Sequence, residues 1–553
     1  MMRHSRSQFT LLWLGLGAWL SAAPLPTHGA QPPADPVVPK WQRWELQLRS
    51  SVTYTNPAAQ VQLRIRLTSP LGETHHLAGF WDGGLVWRAR FKPGFPGRWQ
   101  YRTICSDTAN DGLHGRTGAF LCSAPADTTV FARHGPIQVA RDGQHLEHAD
   151  HTPFFWLGDA AWAAAERAGF AEWSAYLNAR RRQKFNVTLW RLPATHGPEQ
   201  TPLFDTTAGF LPNPAAFREL ERKVVAANQA NLLNAVVPLW EIGPRPGPEL
   251  PEAHAVSLLR YVLARWGADD VVWLVAFDCD SSGRAARRWQ NICRQVFNSI
   301  DHAPVILLPG ESFWVYDGFR SEPWVAGFGF QISSVTDANS LPWLLGGPPA
   351  QERSKLPAHP LLSIIPPMAD PAPAAGQTVS FEFARRLLWW NALLITPAGV
   401  TYATRAVSEW NTNPARGSTW QQALAGPEIQ AFAALSDVMA GTDFWELQPS
   451  PTPLLAAVTP AALPIYPLIA TNRTTALVYL PEGQAIHLAA RIWSGGAATV
   501  WRDLRTNQTH PAQAAPVPGS NRLALQPPAP GDWLLEIPAS PTAGKTTPQQ
   551  IAN

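Results

Sequence analysis

The chain has 553 residues, of which 45% are apolar and only 15% charged, with a formal net charge of +3. That length exceeds one domain, so two to four are expected. The small charge and the lack of a Lys/Arg run give no footprint for nucleic acid, and the apolar fraction suits globular domains with large cores. The 26 Trp stand out beside 23 Phe and 8 Tyr; most belong in cores, and some could be flat platforms for sugar rings.

Arg3 and Arg6 precede the apolar run Phe9–Ala23, which small residues follow. This is the pattern of a secretory signal over residues 1–30, and the run is short for a membrane span. A secreted or periplasmic protein is expected, with no stable membrane insertion once the signal is removed. A Pro-rich linker covers 31–40.

Residues 41–125 read as a small β-sandwich. VQLRIRLTSP alternates apolar and polar side chains, and Gly/Pro turns break the following stretch into short strands. Cys105 and Cys122 flank an expected hairpin and could bridge in an oxidising compartment. The four cysteines lack the His spacing of a zinc site, and no metal or organic cofactor is implied.

Residues 135–440 alternate buried strands with helices, the pattern of parallel βαβ units. The expected strands are 154–159, 186–193, 232–240, 271–278, 304–309, 326–333, 360–365 and 400–406. Asn213 followed by Pro214 is a helix start. In SFEFARRLLWWNALLI, Trp389 and Trp390 lie on an apolar stripe and read as core. The sixth and seventh units have short or Pro-broken helices. Eight strands in this length suit one (β/α)8 barrel. Residues 453–538 return to short strands, a second β-sandwich, and 539–553 form a polar tail expected to be disordered. The fold class is therefore α/β, a (β/α)8 TIM barrel flanked by two small all-β sandwiches.

Barrel active sites lie at the C-terminal ends of the strands. Glycosidic hydrolysis needs two carboxyl groups facing each other across the bond. Asp278, ending VVWLVAFD, is the best-placed general acid, because an apolar surround would raise its pKa; its alternative role is a helix cap. Glu241, after strand three, and Glu311, after strand five, are candidate partners. Asp159, at the end of FFWLGD, is expected to bind substrate or cap a helix. Arg191, Trp240, Trp314, Gln331, Tyr402 and Trp410 complete the expected substrate-binding set at the strand ends. His148 and His151 read as surface residues. Nucleophile-elbow, phosphate-loop and zinc-protease motifs do not occur.

These residues resemble the apiosidase-like glycoside hydrolases. FFWLGDAAW, FNVTLW, VVWLVAFD and FARRLLWWNALLITPAGVTYATRAVSEW look like that family's barrel units. Residues 41–125 resemble the sandwich that precedes such barrels, through Gly79-Phe80-Trp81-Asp82-Gly83, Arg90-Phe91-Lys92-Pro93 and Gly97-Arg98-Trp99-Gln100-Tyr101. The C-terminal part is similar to a collagen-binding-like domain at Val478-Tyr479-Leu480-Pro481, Trp501-Arg502-Asp503 and Asp532-Trp533. The resemblance implies a carbohydrate-active barrel with Asp278 as acid. Where the family has a Glu before Pro after strand seven, this chain has Ile365-Pro366. Its strand-eight Tyr is followed by Ala403 instead of Gly, and Ser333 or Ser334 stands for a His. The expected function is hydrolysis of glycosidic bonds in plant or microbial polysaccharide side chains, or carbohydrate binding by an inactive barrel.

Overall fold

The computed structural model describes residues 35–193, 201–207, 209–239, 250–276, 283–310, 314, 316–332, 337–368, 379–395, 398–426, 429–449, 455–457, 468–471, 475–492 and 499–538. Eight parallel strands close into a barrel: Trp156–Ala160, Val187–Arg191, Leu233–Val237, Val271–Val275, Val305–Leu307, Gly327–Gln331, Leu361–Ile365 and Gly399–Tyr402. Each falls within or beside the stretch that its apolar run predicts.

Side-chain alternation sorts the wall into two faces. Val187, Leu189, Leu233, Ala235, Val237, Val272, Leu274, Ile306, Leu308, Leu362 and Ile364 fill the lumen with Trp156 and Ala160. Branched aliphatics filling the interior make this a packed core and not a pore. Glycines thin the wall where neighbours are large: a Cβ on Gly329 would stand 2.7 Å from Ile364 Cδ1, and one on Gly399 would stand 2.2 Å from Trp156 Cβ. The N-terminal end is plugged by a three-stranded sheet of Ile137–Val139, Leu146–His148 and Pro153–Phe154. Its Ile137, Leu146 and Phe154 join the lumen cluster. His148 sits in that plug, 3% exposed, with its Nδ1 2.8 Å from the Gly135 carbonyl oxygen. The expectation of a surface histidine is corrected there.

Helices Phe170–Arg182, Pro214–Gln229, Glu252–Trp266, Gly283–Phe297 and Phe381–Trp390 pack outside. Asn213 caps the second of these with Pro214 in its first turn, as read. Trp389 and Trp390 are fully buried. The sixth unit has the expected short and Pro-containing helices, Asp337–Gly346 with Pro342 inside it and Pro348–Glu352, and among the described residues only the 3-10 turn Tyr316–Gly318 lies between strands five and six.

The N-terminal sheets comprise five and three strands. Cys122 pairs with Gly97 and Cys105 with Leu63, at opposite ends of the nine-residue strand Gly97–Cys105. At about 3.3 Å per residue they stand ~26 Å apart, so the expected bridge does not form, and both thiols are free and buried. The motif residues of this domain are joints. Asp82 meets Arg265 of helix Glu252–Trp266 at 2.9 Å, and Glu221 meets Arg90 and Arg265 at 2.8 Å each. Lys92 meets Asp270 at 2.5 Å. Burial pushes the Asp82 pKa up, but Arg265, Arg88 and Arg218 outweigh it and hold the group below the usual carboxylate range.

The C-terminal domain has sheets of six and four strands, beginning at Gln448 instead of near 453. Tyr479 stacks on Trp389 at 6.3 Å, and Arg385 Nε meets Asp532 Oδ2 at 2.5 Å. Trp501 and Trp533 fill its core. The three motifs read from the sequence thus serve internal packing and attachment to the barrel.

Candidate active site

The lumen-facing side chains at the C-terminal strand ends form the mouth. Arg191 continues the inward alternation of Val187 and Leu189 on strand two. Its backbone N–H donates to the Trp162 carbonyl at 3.1 Å, which ties the ends of strands one and two together. Gln331 ends strand six and lies beside Ile365 on strand seven, past a register shift that leaves Ile364 as the extra residue of strand seven. Its Nε2 donates to the Pro309 carbonyl at 2.9 Å, linking strands five and six. Trp162 and Ala403 belong to the lumen cluster, and Ile365 and Met368 pack on it. Two expected residues, Arg191 and Gln331, are therefore brought to one rim with an indole and an aliphatic ledge.

Four expected substrate contacts turn the other way. Asp159 is 1% exposed and faces helix Phe170–Arg182. Its Oδ2 accepts from Arg180 Nε at 2.7 Å and from the Tyr176 hydroxyl at 2.8 Å. The alternation explains this: Trp156, Gly158 and Ala160 look inward, so Asp159 looks outward. Burial, with the Asp159 charge added, holds the Tyr176 phenol well above its usual pKa, so it stays a donor. Tyr402, the register partner of Asp159, packs its ring 4.4 Å from Phe432 on the outside. Trp314 gives its indole N–H to Glu352 at 3.2 Å and sits edge-on to Tyr316 at 4.8 Å. Trp410 stacks on Trp420 at 4.5 Å and donates to Glu172 at 3.3 Å. All four expectations of substrate contact are corrected: these side chains bind the helices to the barrel.

The carboxylates Asp278, Glu241 and Glu311, with Trp240, lie outside the described residues. Strand four ends at Val275, and Ala276 has φ of 59°. That left-handed residue breaks the alternation before Asp278 is reached. Such strain, on the order of 1 kcal/mol or more, collects at functional sites. The sequence signal that could have found Trp162 was the same alternation, carried two residues beyond Ala160. Among the described residues no group of His, Cys, Asp and Glu is arranged to hold a metal ion.

Residues 140–446 match the family described as "Apiosidase-like, catalytic domain". Residues 37–106 match a domain of unknown function, DUF5060. A search of curated proteins finds no match. Among solved structures, a glycoside hydrolase family 5 protein from Bacteroides vulgatus ATCC 8482 is similar over 74% of this chain and 95% of its own, at 16% identity and a TM-score of 0.61. A second protein of that organism, provisionally described as a glycoside hydrolase, is similar over 92% of this chain and 100% of its own, at 16% identity and a TM-score of 0.65. At that identity the likeness establishes the fold.

Proposed function

The chain belongs to the apiosidase-like family, and from that membership we propose that it is an exported glycoside hydrolase whose barrel mouth cleaves side-chain bonds in plant or microbial polysaccharides. The observation that carries this reading is the closed parallel barrel whose C-terminal rim gathers Arg191, Gln331 and Trp162. The segments after strands three, four and five, which bear Glu241, Asp278 and Glu311, start from that same end.

In this reading Asp278 protonates the leaving glycosidic oxygen. Glu241 or Glu311 supplies the second carboxylate, either attacking the anomeric carbon or deprotonating a water. Arg191 and Gln331 donate to sugar hydroxyls, and Trp162 and Trp240 offer ring faces. Gln331 already spends one N–H on Pro309, so its orientation is fixed before substrate arrives.

One observation favours a second reading, a barrel that binds carbohydrate without cutting it. The end of strand seven is aliphatic: Ile365 packs on the lumen cluster with Met368. An alkyl group can neither attack nor move a proton. Sugar release from a panel of pectic and other plant polysaccharides, by the mature protein and by Asp278→Asn, decides between them. Release that vanishes in the variant supports hydrolysis with Asp278 as acid. Equal release by both removes Asp278 from the mechanism. No release, with the same polysaccharides retained in a pull-down, supports the binder.

A further inference from the structure

We propose that the groove between the N-terminal sandwich and the flank of the barrel is a second carbohydrate site, built for an anionic sugar residue. The groove has a volume of about 340 Å³ and lies against helix Glu252–Trp266, within the size range of small-ligand pockets and at the kind of domain junction where they concentrate. The inference does not rest on hydrolysis at the mouth.

Its walls combine two chemistries. Phe80, Trp81, Trp87, Phe210 and Tyr261 line it; four of them are buried with the cores behind, and the half-buried Trp81 offers the indole on which the apolar face of a pyranose can stack. Arg64 and Arg260 line it with positive charge, and among the described residues that line it none is Asp or Glu. The neighbouring 420 Å³ cleft at the same domain junction makes the contrast: there Arg90 and Lys92 are matched by Asp269, Asp270 and Asp301. Arg260 spends Nη2 on the Gln295 carbonyl at 2.9 Å. Burial, and then the nearby charge of Arg64, lowers its pKa, as expected for two guanidiniums sharing a groove without an acid. His254, also in the lining, has a buried Nδ1 that finds no partner among the described residues. An orphaned ring nitrogen costs stability unless something satisfies it.

The charge continues out of the groove along one sheet face. Arg64 and Arg66 are both exposed on strand Leu63–Thr68. Arg66 stands directly opposite Arg102 on one neighbouring strand and His76 on the other. Like charges facing each other across a sheet are destabilising. Among the described residues Arg64, Arg66 and Arg102 make no ion pair that would relieve this. A polyanion laid across the rung would relieve it, with one ring seated in the aromatic groove. Guanidinium forks suit carboxylate and sulfate esters alike.

The test is calorimetric titration of the whole mature chain with an oligogalacturonate, a dextran sulfate of similar length and a neutral galactan. The expected result is binding of the anionic oligomers, weakened at high salt, and about ten-fold weaker or less for galactan. Tighter binding of oligogalacturonate assigns a carboxylated sugar; tighter binding of dextran sulfate assigns a sulfated one. Arg64→Ser/Arg102→Ser, at exposed positions, should lose affinity about ten-fold with a melting temperature that is unchanged or slightly raised, since the Arg66–Arg102 repulsion is relieved. Ser257→Trp, which fills the groove and leaves the arginines in place, should lose it as well. No binding by the parent chain, equal binding of galactan, or unchanged affinity in both variants would overturn the proposal. Sugar release on the same preparations reads the mouth separately, so either reading can fail alone.

Discussion

The two faces of the barrel wall differ more than their shared strands suggest. The inner face is aliphatic and thinned by glycine, with Val, Leu and Ile from every second position. The outer face carries Asp159, Trp190, Asn234, Trp273, Phe330 and Tyr402, with hydrogen bonds such as Trp190 Nε1 to Asn234 Oδ1 at 3.0 Å. The residues that look most chemical in the strands are therefore pegs between barrel and helices. The mouth is made where the inner set runs out, at Arg191, Gln331 and Ile365.

The strongest way to break this contrast is Arg180→Met. It leaves the Asp159 carboxylate buried without its cation and should cost about 3–5 kcal/mol of barrel stability. Thermal and denaturant unfolding read it, and sugar release in the cold should survive. A lost activity with unchanged stability would put Asp159 back at the substrate.

The two sandwich junctions sharpen the comparison through pH. Burial raises the Asp532 pKa to about 6, with Arg385 only partly offsetting it. The folded state then holds an extra proton between pH 6 and the unfolded value near 4. Stability therefore rises as pH falls through that window, by about 3 kcal/mol at most. At the N-terminal junction Asp269, raised by burial, follows the same direction, but two carboxylates run the opposite way. Asp82 and Glu45 are held below their usual range, so their contribution is present above pH ~4 and fades below it. Hydrogen exchange at Trp533 and its neighbours in parent and Asp532→Asn chains checks this. The parent should gain protection relative to the variant between pH 7 and 5, and parallel profiles would contradict it.

Changes at the rim should show the reverse of Arg180→Met. Arg191→Ala is expected to lower kcat/KM by about ten- to a hundred-fold, or 1.4–2.7 kcal/mol, if its donors act on the sugar. Its melting temperature should move little. Smallest is Tyr176→Phe, which removes one donor to Asp159 while keeping Arg180 and should cost about 1 kcal/mol of stability and no activity.

Much of the fold was legible because the apolar runs set the strands and the Asn213-Pro214 pair set a helix start. What escaped was direction. A one-residue error in parity moves a side chain from lumen to outer layer, and strand position alone does not give that parity for Asp159 and Tyr402; Trp410 lies beyond strand eight, after helix Arg405–Ser408, where strand alternation does not reach. Trp314 failed for another reason: beyond strand five its indole packs on Phe330 and Trp343. The Cys105–Cys122 bridge failed on register, which spacing in the sequence does not reveal. The sandwich motifs were recognisable, but their partners Arg265, Glu221 and Asp270 lie more than a hundred residues away.

The most direct measurement sets the two acids side by side: melting temperature and polysaccharide sugar release for Asp159→Asn and Asp278→Asn. The predicted result is a crossed pair. Asp159→Asn should melt several degrees lower and still release sugar in the cold, while Asp278→Asn should melt as the parent does and release none. Full release by Asp278→Asn, or loss of release by a stably folded Asp159→Asn, would contradict the division between structural outer face and reactive mouth.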